Sequence, residues 1–279
     1  MRLGNLEGRA ALVSGGGQLD VEEASGGRFG PDLMTVLDDW AAFRAWTVTA
    51  SGTWRDFDQG LLGPPVPAPR QVFAVAVNYR DHAAEASIEL PEHPLVFTKF
   101  PSCITGPFSP VLLPTERADW EVELVVVIGR RCHRVQESEA WDAVAGLTIG
   151  QDISERRIQF RKPFPHFSIA KSLPTFGPIG PVLVTPDEMA ERDDLEITCQ
   201  VNGELMQSSR TSNLVFSVPQ LIAELSSAVL LMPGDLIFTG TPSGVGSSRD
   251  PRRYLRPGDV IESSVEGIGA MRNTCEVVG

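Results

Sequence analysis

Basic charge is scarce in this sequence: 24 Lys and Arg stand against 36 Asp and Glu, a formal net charge of −12. A nucleic-acid binder needs a basic footprint, so that class is excluded. Small anions are not excluded, because a cation and a few Lys or Arg can reverse the field inside one cleft. Cysteine is also sparse. The four cysteines, Cys103, Cys132, Cys199 and Cys275, form no CxxC pair. Neither a zinc site nor a disulfide scaffold is indicated, and reduced thiols are the expectation. No apolar run approaches membrane-spanning length. The stretch Met1 to Glu7 lacks the apolar centre of a signal peptide. A soluble, cytoplasmic protein with no membrane partner is the expectation. Two glycine-rich stretches also lack what a motif needs. Gly15-Gly16-Gly17 has neither GxGxxG spacing nor a following GK[ST], so it is read as a hairpin turn. Gly240-Thr241-Pro242-Ser243-Gly244 holds a serine without GxSxG spacing, so no nucleophile elbow is supported.

What is present suits a globular chain. Its 279 residues are 42% hydrophobic and 22% charged, enough for one large domain or a main domain with a small companion. Ala10 to Ser14 reads as a strand, with Leu19 to Val21 as its returning arm. Asp32 to Trp46 carries Leu33, Val36, Leu37, Trp40 and Phe43 at helical spacing. The proline-dense Gly63 to Pro69 then breaks all periodicity and places a boundary. The expected division is a small N-terminal α/β unit over 1–66 and a catalytic domain over 67–279. Strands are expected over Gln71 to Val77, Phe97 to Lys99, Ser109 to Leu113, Leu147 to Gly150 and Glu196 to Val201. A turn at Gly106-Pro107 separates the second and third. Helices are expected over Glu137 to Ala145 and Ser217 to Ala228. Asn202-Gly203 signals a tight hairpin. Pro233-Gly234 and Pro257-Gly258 suit the centres of type II turns that each launch a strand. Residues 161–181 read as loop, with His166 structural.

Chemistry concentrates in a few stretches. Trp120 to Gly129 reads as a largely buried strand whose alternation sends Glu121 and Glu123 to one face. Two adjacent carboxylates in a buried setting require a positive partner, and divalent Mg²⁺, Mn²⁺ or Ca²⁺ prefers oxygen ligands. The competing reading is a solvated face paired with Lys or Arg. In Asn78 to Glu85, His82 and Glu85 are three apart and share one helical face, which suits a general base held by a carboxylate. The competing reading is a surface histidine with a casual neighbour. Asp152 ends a strand, a position open both to a ligand and to a helix N-cap.

Taken together, these stretches resemble the fumarylacetoacetate hydrolase family over roughly residues 70 to 279. The resemblance rests on Asn78-Tyr79-x-x-His82-x-x-Glu85, on Glu121-x-Glu123-Leu124, and on Gly150-Gln151-Asp152-Ile153-Ser154 with Arg156 and Gln159. It rests further on Lys171-Ser172 followed by Gly177 to Pro181, and on Gly240 to Gly246. It implies an α+β, mostly β fold, the mixed β-roll, and a homodimer. It makes Glu121, Glu123 and Asp152 the ligands of a divalent metal ion, Mg²⁺ or Mn²⁺ with Ca²⁺ as a further option. His82, Glu85 and Lys171 become catalytic. Tyr79, Arg156, Gln159, Gly240 and Thr241 become contacts to a small anionic keto-acid substrate. The implied activity is a metal-dependent hydrolase that cleaves a carbon–carbon bond in acylpyruvate-like β-diketo acids through a metal-stabilised enolate. Its rivals are a decarboxylase of oxaloacetate-like acids and an isomerase of 2-hydroxy-dienedioates. A ligand binder without turnover is the reading from another class, and the intact set of charged residues stands against it. Two departures from the family pattern bear on the substrate. Arg157 replaces a usually acidic residue, and Arg161 to Phe167 is unusually basic and aromatic.

Overall fold

A computed structural model describes residues 1–278. The architecture is strand-rich α+β. Its centre is a 12-stranded mixed sheet, and a five-stranded sheet packs against one face. The strand Val122–Ile128 lies at the heart of the large sheet and is buried throughout. It pairs antiparallel with Val144–Gln151 on one side and with Leu236–Phe238 on the other. Leu236–Phe238 runs parallel to Val72–Ala76, which pairs with the edge strand Leu95–Thr98.

Alternation along Val122–Ile128 builds two cores. Val122, Leu124, Val126 and Ile128 join the residues of the smaller sheet, among them Ile197, Cys199, Ile261 and Met271. Val125 and Val127 face the opposite way. They join Leu33, Val36, Leu37, Trp40 and Phe43 from the N-terminal helices. A sheet covered on both faces explains a nearly continuous apolar run in place of a polar/apolar alternation.

The N-terminal strands belong to the same sheet. Arg2–Leu6 pairs with Arg9–Ser14 and with Leu62–Gly63, and on its far side Leu3 pairs with Leu183. The proline-rich stretch after Gly63 therefore links strands of one continuous sheet. The expected hairpin forms between Arg9–Ser14 and Gly17–Asp20, while Val21 opens a short helix.

Three local expectations are corrected. The helix expected over Asp32 to Trp46 is two helices, Leu33–Asp38 and Trp40–Thr47, because Asp39 at φ −115° and ψ 43° leaves helical geometry. The helix expected over Glu137 to Ala145 is a 3₁₀ segment, Glu137–Ala143, and the sheet claims the chain from Val144. The loop expected over 161–181 contains the short helix Phe167–Ala170 and the start of the strand Gly177–Val184. Ladder pairing overrode local composition at Val144 and at the strand that starts with Gly177. The Asn202-Gly203 turn joins Glu196–Val201 to Glu204–Arg210, with φ of 55° and 77°. The helix Val218–Ala228 forms as read, closed at its start by a reciprocal Ser217–Gln220 capping box. Among the described residues no helix is long and apolar enough to cross a membrane.

Candidate active site

The site gathers where the central strand begins. Glu121 and Glu123 share the face of Val125 and Val127 but lie at the strand's N-terminal end. Asp152 follows directly on Val144–Gln151. Its backbone N–H donates to the Glu121 carbonyl at 2.9 Å, so one ladder sets the spacing of these carboxylates. Glu155, and not Asp152, caps the helix that follows. One oxygen from each of Glu121, Glu123 and Asp152 lies within 4.8 Å of the others, and all three residues are buried.

Cations thread this cluster. Lys171, just after the helix Phe167–Ala170, donates to Glu121 Oε2 and to Asp152 Oδ2, each at 2.6 Å. Arg156 opens the helix Arg156–Gln159. It meets Glu121 Oε1 at 2.7 Å, Asp119 Oδ2 at 2.8 Å and, through Nη1, Gln159 Oε1 at 2.7 Å. Lys99 Nζ donates to the other oxygen of Asp152 at 2.7 Å. Asp119, also fully buried, accepts the backbone N–H groups of Gly246 and Ser247 at 2.7 and 2.9 Å. It thereby ties the glycine-rich loop to Arg156.

Burial pushes the Glu121 carboxyl up, but Lys171 and Arg156 outweigh it and hold the group well below the usual carboxylate range. Burial alone would lower the Lys171 ammonium, and Asp152 and Glu121 reverse that and raise it. Glu123 goes the other way. Burial raises it, and the charges of Asp152 and Glu121 raise it further. Its only hydrogen-bond partner among the described residues is the Gly240 N–H, at 2.7 Å. The site therefore sets four buried carboxylates, Asp119, Glu121, Glu123 and Asp152, against three buried cations, Lys99, Arg156 and Lys171. A buried carboxylate without a cation is costly. An all-oxygen donor set with one uncompensated charge fits a hard divalent cation such as Mg²⁺ or Mn²⁺.

His82 and Glu85 sit on the helix Arg80–Glu85, with Nδ1 and Oε2 3.2 Å apart. The other Glu85 oxygen accepts the Gly244 N–H at 2.9 Å. Burial pushes the Glu85 carboxyl up, and the hydrogen bonds from His82 and Gly244 overcome this and hold it below its ordinary range. Gly244 has φ +102°, and a Cβ there would come within 2.0 Å of the Met206 carbonyl, so the loop needs glycine at this point. Asn78 holds the approach to the helix. Its side chain donates to the Thr239 carbonyl at 2.7 Å and accepts the Phe216 N–H at 2.8 Å.

A cavity of about 170 Å³ opens between these parts. Glu121, Glu123 and Asp152 line it on one side, and His82, Lys171 and Thr241 also reach it. Arg156 and Gln159 contribute further polar wall, with Phe97, Phe160 and Phe167 as apolar wall. Glu85 and Gly240 stand behind the lining, holding His82 and Glu123. The Thr241 hydroxyl already donates to the Val122 carbonyl and accepts from Gln207. Tyr79 is outside the cavity lining, yet near enough to Glu123 and Asp81 for their charges to act on it. It is buried in the core, and its hydroxyl has no partner among the described residues. Burial raises its pKa. His166 is outside the lining. A larger, more open groove of about 570 Å³ beside the helix Val218–Ala228 holds none of the site residues.

Lys99 and Asp119 were missed from the sequence. A signal existed for Lys99: it shares strand parity with Phe97 at the end of an apolar run. Asp119 stands one residue before the buried Trp120, a poor place for a charge without a partner.

Fold and site define the class: a strand-rich enzyme that depends on a divalent metal. The chain belongs to the fumarylacetoacetate hydrolase family, whose "Fumarylacetoacetate (FAA) hydrolase C-terminal" model matches residues 71–276. It is 44% identical over 211 residues to the mitochondrial oxaloacetate tautomerase FAHD2B of Bos taurus, covering 75% of this chain and 67% of that one. A Mycobacterium smegmatis crystal structure assigned provisionally to HpcE is 51% identical, with a TM-score of 0.96 and full coverage of both chains. The maleylpyruvate hydrolase of Sphingobium sp. SYK-6, crystallised with manganese(II) and pyruvate, is 28% identical with a TM-score of 0.81, again over both full chains.

Proposed function

We propose that this enzyme moves a proton on a small oxaloacetate-like 2-oxo acid, interconverting its enol and keto forms. One observation carries the reading. A single cavity of about 170 Å³ is lined both by an ammonium with one unused N–H, Lys171, and by an imidazole whose Nδ1 is held by Glu85. That volume is below the roughly 300–1,000 Å³ of drug-sized pockets, which suits a compact acid. The likeness to oxaloacetate tautomerases supports the same substrate class.

The residues divide the work as follows. His82 Nε2, the ring atom left free, takes a proton from C3 or returns it, while the proton of the C2 hydroxyl is gained from or lost to solvent water, so that the two forms differ only in where that proton sits. Glu85 orients the ring and steadies the imidazolium. The third Lys171 N–H holds the oxygen at C2 as negative charge develops there, in a cavity where few waters compete. The Gln159 amide, whose Oε1 is taken by Arg156, has its N–H groups left for a substrate carboxylate. Arg156 itself is largely committed to Asp119 and Glu121 and acts chiefly as a brace. A divalent cation held by Glu121, Glu123 and Asp152 would supply Lewis acidity toward the adjacent oxygens of a 2-oxo acid.

A second reading, hydrolysis of acylpyruvates, is favoured by the anchoring of Glu85 to the Gly244 N–H. A histidine held that firmly also suits activation of a water that attacks a distal carbonyl. The test is to add enolic oxaloacetate to enzyme with Mg²⁺ or Mn²⁺ and follow the loss of enol absorbance against metal alone. Acceleration abolished by chelator is the expected result. No acceleration, with acetate and pyruvate released from acetylpyruvate, would replace the first reading with the second. Release of CO₂ from oxaloacetate would identify a decarboxylase, and turnover of 2-hydroxy-dienedioates alone an isomerase.

A further inference from the structure

Among the 24 basic residues only three are lysine: Lys99, Lys162 and Lys171. Lys162 is exposed, whereas Lys99 and Lys171 are both buried at the site. A buried lysine is rare because its charge must be fully paired and its donors satisfied. Lys99 meets that demand completely. Its Nζ donates to Asp152 Oδ1 at 2.7 Å, to the Phe176 carbonyl at 3.1 Å and to the Lys171 carbonyl. The ammonium also lies 5.6 Å from the centroid of the Phe238 ring. No N–H remains for a substrate, so Lys99 and Lys171 differ in kind.

The three acceptors belong to separate pieces of chain. Asp152 follows the strand Val144–Gln151, Lys171 follows the helix Phe167–Ala170, and Phe176 precedes the strand Gly177–Val184. Lys99 enters from a fourth piece, just past the edge strand Leu95–Thr98. An ammonium spreads its donors around a point, whereas a guanidinium holds its donors in one plane. Three acceptors around one nitrogen explain a lysine in a chain that otherwise uses arginine.

We propose that Lys99 is a positioning residue: it aims Asp152 into the three-carboxylate cluster and pins the backbone that carries Lys171. The spacing between the metal-ligating carboxylates and the substrate-facing ammonium is then set by one buried atom. A rival role, that of a simple counter-charge for Asp152, makes the opposite prediction. Removing a positive charge beside three carboxylates tightens cation binding, whereas losing the aim of Asp152 weakens it.

Binding of Mn²⁺ to the metal-free full-length enzyme, by calorimetry or electron paramagnetic resonance, separates the two. The positioning role predicts that Lys99→Met binds Mn²⁺ roughly 10–100-fold more weakly, as loss of an outer-sphere partner of a metal ligand does. Lys99→Arg should not restore it. Tighter or unchanged Mn²⁺ binding in Lys99→Met overturns the proposal. A second measurement needs no variant. In wild-type protein labelled with ¹⁵N-lysine there are three ammonium signals to assign. Lys99 should exchange its protons with water far more slowly than Lys162, and equally fast exchange would also overturn the proposal.

Discussion

The two chemical halves of the site are made of different material. The carboxylate cluster hangs from central strands, and the side chains of Glu121 and Asp152 are 8% and 1% exposed. The His82–Glu85 pair rides on a helix of six residues, with side chains 16% and 23% exposed. The first half is positioned by a hydrogen-bonded ladder that also holds the core together. The second is positioned by a few clamps, Asn78 behind the helix and the Gly244 N–H beside it. Charge that must stay put is built into the sheet, and the group proposed to move a proton is perched on its rim. Damage to the first half should therefore appear as lost stability and lost metal together. Damage to the second should appear chiefly as lost rate, with under about 1 kcal/mol of stability at stake.

The largest expected effect breaks the first half. Asp152→Ala leaves Lys99 and Lys171 short of an anion. Breaking a buried pair in this way costs about 3–5 kcal/mol. Urea denaturation should show that loss, and calorimetry should show no Mn²⁺ binding. An unchanged urea midpoint would erase the distinction between the halves. Next comes His82→Ala. Turnover should fall roughly 10²–10⁴-fold, with Mn²⁺ affinity and Tm unchanged. A variant that kept full turnover would remove His82 from the chemistry. The smallest effect concerns Glu85. Its carboxyl is held below the ordinary range, so its contribution to stability is present above that range and is lost as pH falls through the lowered value. The pair is partly solvated, so the contribution is under about 1 kcal/mol. Glu85→Gln should flatten that acid-side decline in a pH series of melting curves. A decline of the same size in the variant would place its origin elsewhere.

These halves were also unequally visible beforehand. The Glu121–Glu123 pair could be read because both carboxylates lie on one strand, where alternation alone fixes the shared face. His82 and Glu85 were readable for the same reason on a helix. Hairpin and capping chemistry was equally local, as Asn202-Gly203 and Ser217 show. Lys99 and Asp119 were hidden because their partners are far away in the chain: Asp152 and Lys171 for one, Arg156 and Gly246 for the other. Tyr79 was readable only as a motif position: it is buried outside the cavity lining, though near enough to Glu123 and Asp81 for their charges to act on its hydroxyl. The break at Asp39 and the capture of Val144 by the sheet were likewise decided by packing that no local window contains.

The pairing of Arg2–Leu6 has a consequence for how the chain is made. One edge of that strand is covered early by its own hairpin. The other is met by Leu62–Gly63 at Asn5 and Leu6, but at Arg2 and Leu3 it waits for Val184 and Leu183. At translation speeds of about 5–20 residues per second, that wait is roughly 10–40 s. Through that time the nascent chain carries an open strand edge, the kind of surface that pairs with whatever strand it meets first. The same strand Gly177–Val184 that closes this edge also pairs with Val144–Gln151, next to Asp152. The enzyme thus completes its vulnerable N-terminal edge and the scaffold of its carboxylate cluster in one late act of synthesis.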